Sequence, residues 1–209
     1  MTYSLSNTAN ISFITETLGV GFRYPSLYKP RLKINGYKEQ SLSIITADEP
    51  NFITQGIWGI LPQNFDGDWK KFQRLKNTLH VNENEIYNNI LYKEALQKRR
   101  CLIVVTGFYT HYLSENQITD YLVEKDSLTP FYLAGVYNVL ADGFITCTVI
   151  NTKANNSLNS INNLYEVMPL QIPDIFKKIW LDKNAEPEEI DYIISKPYVT
   201  KFKIQKIAS

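Results

Sequence analysis

The stretch Arg99-Arg100-Cys101-Leu102-Ile103-Val104-Val105-Thr106-Gly107-Phe108-Tyr109-Thr110-His111-Tyr112 decides how this chain is read. Its β-branched middle is apolar at consecutive positions, the pattern of a strand covered on both faces, and residues 101–109 are expected to form it. Two further apolar runs, 131–139 and 144–152, are joined by Leu140-Ala141-Asp142-Gly143, whose Asp-Gly step signals a hairpin. These runs predict an antiparallel sheet.

Outward from that core, residues 43–46 and 53–61 read as strands, the second closed by Pro62, which has no N–H to give a ladder. Residues 11–17 suit a short amphipathic helix, and the aromatic, proline-punctuated segment 24–30 suits neither regular element. Asp66-Gly67-Asp68 offers an N-cap for a helix over 69–77. The polar stretch from His80 to Glu85 reads as a loop leading into a second helix that ends near Lys98. Asn155 to Asn163 is rich in Asn and Ser and is expected to be a loop. Pro173-Asp174 and Pro187-Glu188-Glu189 open two short helices, and residues 199–207 alternate like a last strand. Strands with interspersed helices and no regular βαβ alternation predict an α+β fold, with one domain over 1–209.

Composition narrows the function. The 209 residues are 44% hydrophobic and 21% charged, which excludes disorder, and no apolar run approaches the roughly 20 residues that span a bilayer. The first residues show no signal-peptide pattern, so a cytoplasmic location is expected. Cys101 and Cys147 lie in apolar runs and should be reduced, buried thiols. With His80 and His111 as the two histidines, no ligand spacing suits a metal, and no cofactor is expected. A net charge of +1 gives no global pull on a polyanion. Nucleic-acid binding would need a local face built from Lys98 to Arg100, from Lys70, Lys71, Arg74 and Lys76, or from Lys201, Lys203 and Lys206. Such runs are equally the solvated faces of ordinary elements. His80 and His111 are candidate acids or bases, or structural histidines. Removal of Met1 would leave an N-terminal threonine, Thr2, a nucleophile type that uses its own amine as base, or simply a frayed end.

The ordered set Tyr28-Lys29-Pro30, Asn35-Gly36-Tyr37, Ile44-Ile45-Thr46, Trp58-Gly59-Ile60-Leu61-Pro62, Arg100-Cys101-Leu102-Ile103, Gly107-Phe108-Tyr109, Ala134-Gly135-Val136-Tyr137, Ala154-Asn155 and Met168-Pro169 resembles the SRAP family of SOS-response-associated peptidases, or abasic-site processing proteins. The resemblance implies a compact α+β domain with a β-barrel-like antiparallel core, peripheral helices and a positive groove for single-stranded or abasic DNA. It also implies an N-terminal cysteine that closes a thiazolidine on the aldehyde of an abasic site, assisted by a glutamate, a histidine and an asparagine. Here the cysteine position is Thr2, the glutamate position Thr110, the tryptophan after it His111, and the histidine position Asn162. The Asn-x-Arg-x-Glu-Thr loop falls on His80, Asn82, Asn84 and Glu85, and the arginine before Met-Pro falls on Val167.

The framework is kept while each catalytic position is replaced, the pattern of a pseudoenzyme. A monomer that binds single-stranded or damaged DNA is expected, with Trp58 stacking a base and Asn82, Arg100 and His111 contacting the strand. Two alternatives stand beside it. One is a residual enzyme that forms an imine or crosslink through the Thr2 amine, with His80 or His111 relaying protons. The other is a scaffold or ligand-binding protein that has abandoned DNA.

Overall fold

The computed structural model describes residues 3–155, 158, 160–198 and 200–207; Thr2 lies outside them. The first half contains β1 (Ser4–Asn7), α1 (Ile11–Leu18), β2 (Gly21–Phe22), β3 (Arg31–Asn35), β4 (Ser41–Thr46), β5 (Phe52–Trp58), α2 (Trp69–Leu75), β6 (His80–Asn82) and α3 (Ile90–Lys98). The second half contains β7 (Arg100–Val105), β8 (Gly107–Ser114), β9 (Gln117–Lys125), β10 (Phe131–Val139), β11 (Ile145–Lys153), β12 (Val167–Pro169), β13 (Gln171–Ile172), α4 (Lys177–Leu181), α5 (Pro187–Ser195) and β14 (Phe202–Lys206). The architecture is α+β, as the order of elements predicts.

Strands β11, β10, β7, β4 and β5 run side by side, and β5 pairs back onto β11, so the sheet closes into a ring. The closing pair is parallel, through Thr146↔Ile57 and Cys147↔Trp58, as is β6 on β11; the other ring pairs are antiparallel. The expected antiparallel barrel is therefore a mixed one. A second sheet, β14-β9-β8-β1-β3, packs on one side of it.

Ring closure explains the unbroken apolar runs. Along β7, Cys101, Ile103 and Val105 fill the barrel with Leu42, Ile44, Trp58, Leu133, Tyr137, Cys147 and Val149. Leu102 and Val104 face outward into a second core, against Ile14 of α1, Ala95 of α3, Trp180 of α4 and Ile190 of α5. Both faces are covered, so both must be apolar. Cys101 and Cys147 are free and buried; burial raises both thiol pKa values, that of Cys147 to about 12.

The strand expected over 101–109 is two strands. It breaks at Thr106, whose N–H donates to the Ser6 carbonyl at 2.8 Å and whose hydroxyl accepts from the Thr8 N–H at 3.1 Å. The chain thereby leaves the barrel and enters the second sheet. Gly107 permits the crossing, since a Cβ there would lie 2.8 Å from the Val123 carbonyl oxygen. The next hairpin, β8 to β9, turns on Glu115 and Asn116, both left-handed at φ 45° and 69°. Neither residue is glycine, so the turn carried little sequence signal.

Asp68 is the cap expected from Asp66-Gly67-Asp68, and the other helix ends are closed locally as well. Asn10, Asp68 and Asn89 cap α1, α2 and α3 with side-chain oxygens, Gly19 ends α1 in the left-handed region, and Glu186 with Glu189 forms a capping box on α5. His80–Asn82 is a short strand where a loop was expected, because its backbone pairs with Val149 to Asn151 of β11.

Candidate functional site

Among the described residues, Tyr37 and His80 meet at Tyr3, just before β1. There the Asn35-Gly36-Tyr37 turn folds under Tyr3: the Asn35 side chain accepts from the Tyr37 N–H at 2.9 Å, and the Gly36 N–H donates to the Tyr3 carbonyl at 2.9 Å. Gly36 is needed for this approach, because a Cβ would lie 3.0 Å from a Leu79 methyl and 3.3 Å from the Trp58 ring. The turn sets the Tyr37 ring 4.7 Å from that of Tyr3, and Tyr3 in turn lies edge-on to His80 at 5.4 Å.

Tyr37 is 56% exposed as a residue, yet its hydroxyl is hemmed in. Burial of that end, a hydrogen bond with Tyr3 and the neighbouring Tyr165 phenol all push its pKa upward. Three phenols thus meet at the mouth of the site, a grouping that only the fold reveals.

His80 is buried, edge-on to Trp58 at 5.5 Å, and it borders a cavity of about 680 Å³ with Lys76, Asn84, Asn88 and Tyr92. Of the exposed cations on and just after α2, Lys76 lines this cavity, as does Glu85, while Lys70, Lys71 and Arg74 do not; none of the ion pairs among the described residues uses these four cations. Asn82 is partly buried; it is in register with Asn151 of β11, and the Oδ1 of Asn82 and both amide atoms of Asn151 are buried without partners. Buried amides of this kind cost free energy unless something satisfies them.

The loop after β11 is stitched across β8. The Thr110 hydroxyl donates to the Ile161 carbonyl at 3.3 Å, Asn162 Nδ2 donates to the Val167 carbonyl at 3.0 Å, and the Asn163 amide both accepts from and donates to the Leu113 backbone at 2.8 Å. Thr110 and Asn162 are therefore neighbours through this loop.

Three expected contacts are corrected by burial or direction. Trp58 is 0% exposed inside the barrel, with its Nε1 donating to the Leu79 carbonyl at 2.8 Å, so it cannot stack a base. The exposed aromatics at the site are Tyr37 and Tyr165. Arg100 is 1% exposed; its guanidinium donates to the carbonyls of Trp180 at 2.7 Å, Leu96 at 2.6 Å, Gln97 at 2.8 Å, and Asp182. It holds the C-terminal ends of α3 and α4 together and does not reach solvent; burial pulls its pKa down against the opposing pull of Asp182. His111 follows Thr110 in the strand and so faces the other side of the sheet. Its Nδ1 lies 2.7 Å from Asp120, which also takes Lys33 at 2.9 Å. Burial alone would raise the Asp120 pKa, but the hydrogen bonds from Lys33 and His111 outweigh it and hold it low.

The model of the SOS response associated peptidase (SRAP) family matches residues 5–209. The chain belongs to the SRAP family. Solved structures agree with this SRAP fold. A Bacteroides thetaiotaomicron protein superposes with a TM-score of 0.86 at 21% identity, over 99% of this chain and 92% of its own. A Bordetella bronchiseptica protein gives 0.77 at 12% identity, over 99% and 100%. A phage-related protein from Bordetella bronchiseptica gives 0.70 at 14%, over 99% and 94%. No curated protein matches the sequence significantly. Among the described residues, no helix is long and apolar enough to cross a membrane, and no cluster of metal-ligating side chains occurs.

Proposed function

We propose that this SRAP-family protein binds single-stranded or damaged DNA across the surface running from Tyr37 and Tyr165, past the cavity at His80, to the cations of α2, and that it does so without the family's lesion chemistry. The observation that carries the binding reading is that cavity with the helix beside it: Lys76 and Glu85 line it with His80, and Lys70, Lys71 and Arg74 of α2, outside its lining, add cations that form no ion pair among the described residues. Unpaired cations along a groove attract phosphates by counterion release, while exposed tyrosines offer sequence-tolerant stacking faces.

Loss of chemistry is supported by what fills the catalytic positions. The Thr110 hydroxyl is buried and spent on a backbone carbonyl, and the Asn162 amide on another. Neither titrates near neutral pH, so neither can exchange a proton as a carboxylate or imidazole does. His111 does have an orienting carboxylate, but it lies on the opposite face of β8 from Thr110.

The test uses two readouts on methionine-processed protein. Fluorescence polarisation with a single-stranded oligonucleotide should show binding at low salt that falls about tenfold or more in Lys70→Glu/Lys71→Glu/Lys76→Glu. An abasic-site oligonucleotide should give no adduct on denaturing electrophoresis, with or without borohydride. A borohydride-trapped adduct that is lost when the N-terminal α-amine is acetylated would replace this reading with the residual-enzyme one, and absent binding at low salt would remove DNA altogether.

A further inference from the structure

A second cleft, of about 560 Å³, opens where the two sheets diverge, away from the residues of the SRAP site. Beside it β1 is irregular: its register against β3 shifts between Leu5 and Asn7, and Asn7 lines the cleft. Past that shift the Asn7 side chain turns to the barrel and donates Nδ2 to the Val104 carbonyl at 3.0 Å, leaving its buried Oδ1 without a partner. The gap left between β3 and the β4–β5 pair is the cleft.

Its walls differ in chemistry. Lys29 and Arg31 line it as exposed cations against one exposed carboxylate, Glu39, and none of the ion pairs among the described residues uses any of the three. Gln55 and Ser43 add polar lining, the Gln55 amide donating to the Ser43 hydroxyl at 3.4 Å. Phe144, 60% exposed, projects at the mouth. Two unpaired cations suit a phosphate, a side-chain amide beside a hydroxyl presents donors and acceptors to a heterocycle edge, and an exposed ring offers a stacking face. The volume lies within the range of small-molecule sites.

We infer that this cleft is a binding site for a nucleoside monophosphate unit, with the phosphate at Lys29 and Arg31, the base edge at Gln55 and Ser43, and the ring against Phe144. The inference stands apart from the DNA reading above, because the cleft shares no residue with the cavity at His80. The unit has two sources, a free nucleotide or the phosphorylated end of a strand.

Calorimetry of the full chain with adenosine 5′-monophosphate, adenosine and inorganic phosphate tests it. Binding of the nucleotide below about 1 mM is expected, with adenosine and phosphate each about tenfold weaker or worse. Arg31→Glu should weaken the nucleotide about tenfold and Phe144→Ala about fivefold, with melting temperatures unchanged because both side chains are exposed. Lys76→Glu and Tyr37→Ala should leave nucleotide binding intact, so a failed DNA interface and a failed cleft are told apart. Competition by a 5′-phosphorylated tetranucleotide that Arg31→Glu abolishes upholds the cleft and assigns it to strand ends; no competition upholds it for free nucleotide. Absence of nucleotide binding at about 5 mM, equal binding of phosphate alone, or indifference to both Arg31→Glu and Phe144→Ala would overturn the inference.

Discussion

Replacing Arg100 by methionine isolates what its buried charge does. The side chain keeps its length and apolar stem but loses three donor nitrogens that serve four carbonyls at the ends of α3 and α4. Hydrogen bonds from a charged donor contribute about 1.5–3 kcal/mol each, and the bonds to Trp180 and Leu96 are fully buried, so these two alone place the loss at about 3–6 kcal/mol. The partly buried pair to Gln97 and Asp182 can turn to water and adds less. Removal of the arginine's own desolvation penalty offsets some of this, which leaves a net loss of about 3–5 kcal/mol. At about 2–4 °C per kcal/mol for a chain of this size, the melting temperature should fall by about 6–20 °C. Lysine should lie between, since an ammonium cannot reproduce the planar fork. Thermal and urea unfolding, read by circular dichroism, measure the loss, and single-strand affinity is measured in parallel. A variant within about 1 kcal/mol of the parent that has lost DNA affinity would show Arg100 to be a strand contact and refute the burial argument.

Further expectations follow the same logic. Trp58→Phe should leave single-strand affinity unchanged while destabilising the protein by about 1–3 kcal/mol, through the lost ring volume and the loss of one of the two hydrogen bonds to the Leu79 carbonyl, which keeps the one from the Val149 N–H; binding and unfolding measurements separate the two effects. Gly107→Ala should cost about 2–4 kcal/mol in urea unfolding, because the obstacle 2.8 Å away is the Val123 backbone, which cannot rotate aside. Glu115→Asn with Asn116→Gly should raise stability by about 0.5–1 kcal/mol by placing residues at ease with positive φ in the β8–β9 turn. Asp48, bonded to Lys183 and Tyr137, and Asp120, bonded to Lys33 and His111, both have pKa values below the ordinary carboxylate value. Their contribution is present above the unfolded pKa of about 3.9 and is lost as pH falls through the lower folded values, so Asp48→Asn and Asp120→Asn should each flatten the stability–pH curve below about pH 4.

How much of the site was legible in the sequence depended on the range of the forces involved. The caps Asn10, Asp68 and Asn89, the Asp142-Gly143 turn and the doubly apolar runs act over a few residues, and the fold keeps them where the sequence puts them. The framework motifs that mark the family were legible for the same reason: Gly107 meets a backbone oxygen that cannot move aside, and at Gly36 a Cβ would be tight against the Leu79 and Trp58 side chains. The β8–β9 hairpin was not, because Glu115 and Asn116 adopt left-handed backbone without the glycine that usually announces it. The three-tyrosine mouth was not, because Tyr3, Tyr37 and Tyr165 are far apart in the chain.

By itself, then, the sequence determined the α+β class and the SRAP framework. Tertiary structure decided which side chains face the solvent. Trp58 and Arg100 look like strand-binding residues by type, but ring closure through the β5–β11 pair places one inside the barrel, and the carbonyls at the ends of α3 and α4 draw the other into the core. Alternation along a strand says that Thr110 and His111 part company; only the pairing of β8 with β9 and the loop over it says which one is buried. Periodicity is a local property of a strand, whereas inside and outside are defined only when a sheet closes on itself.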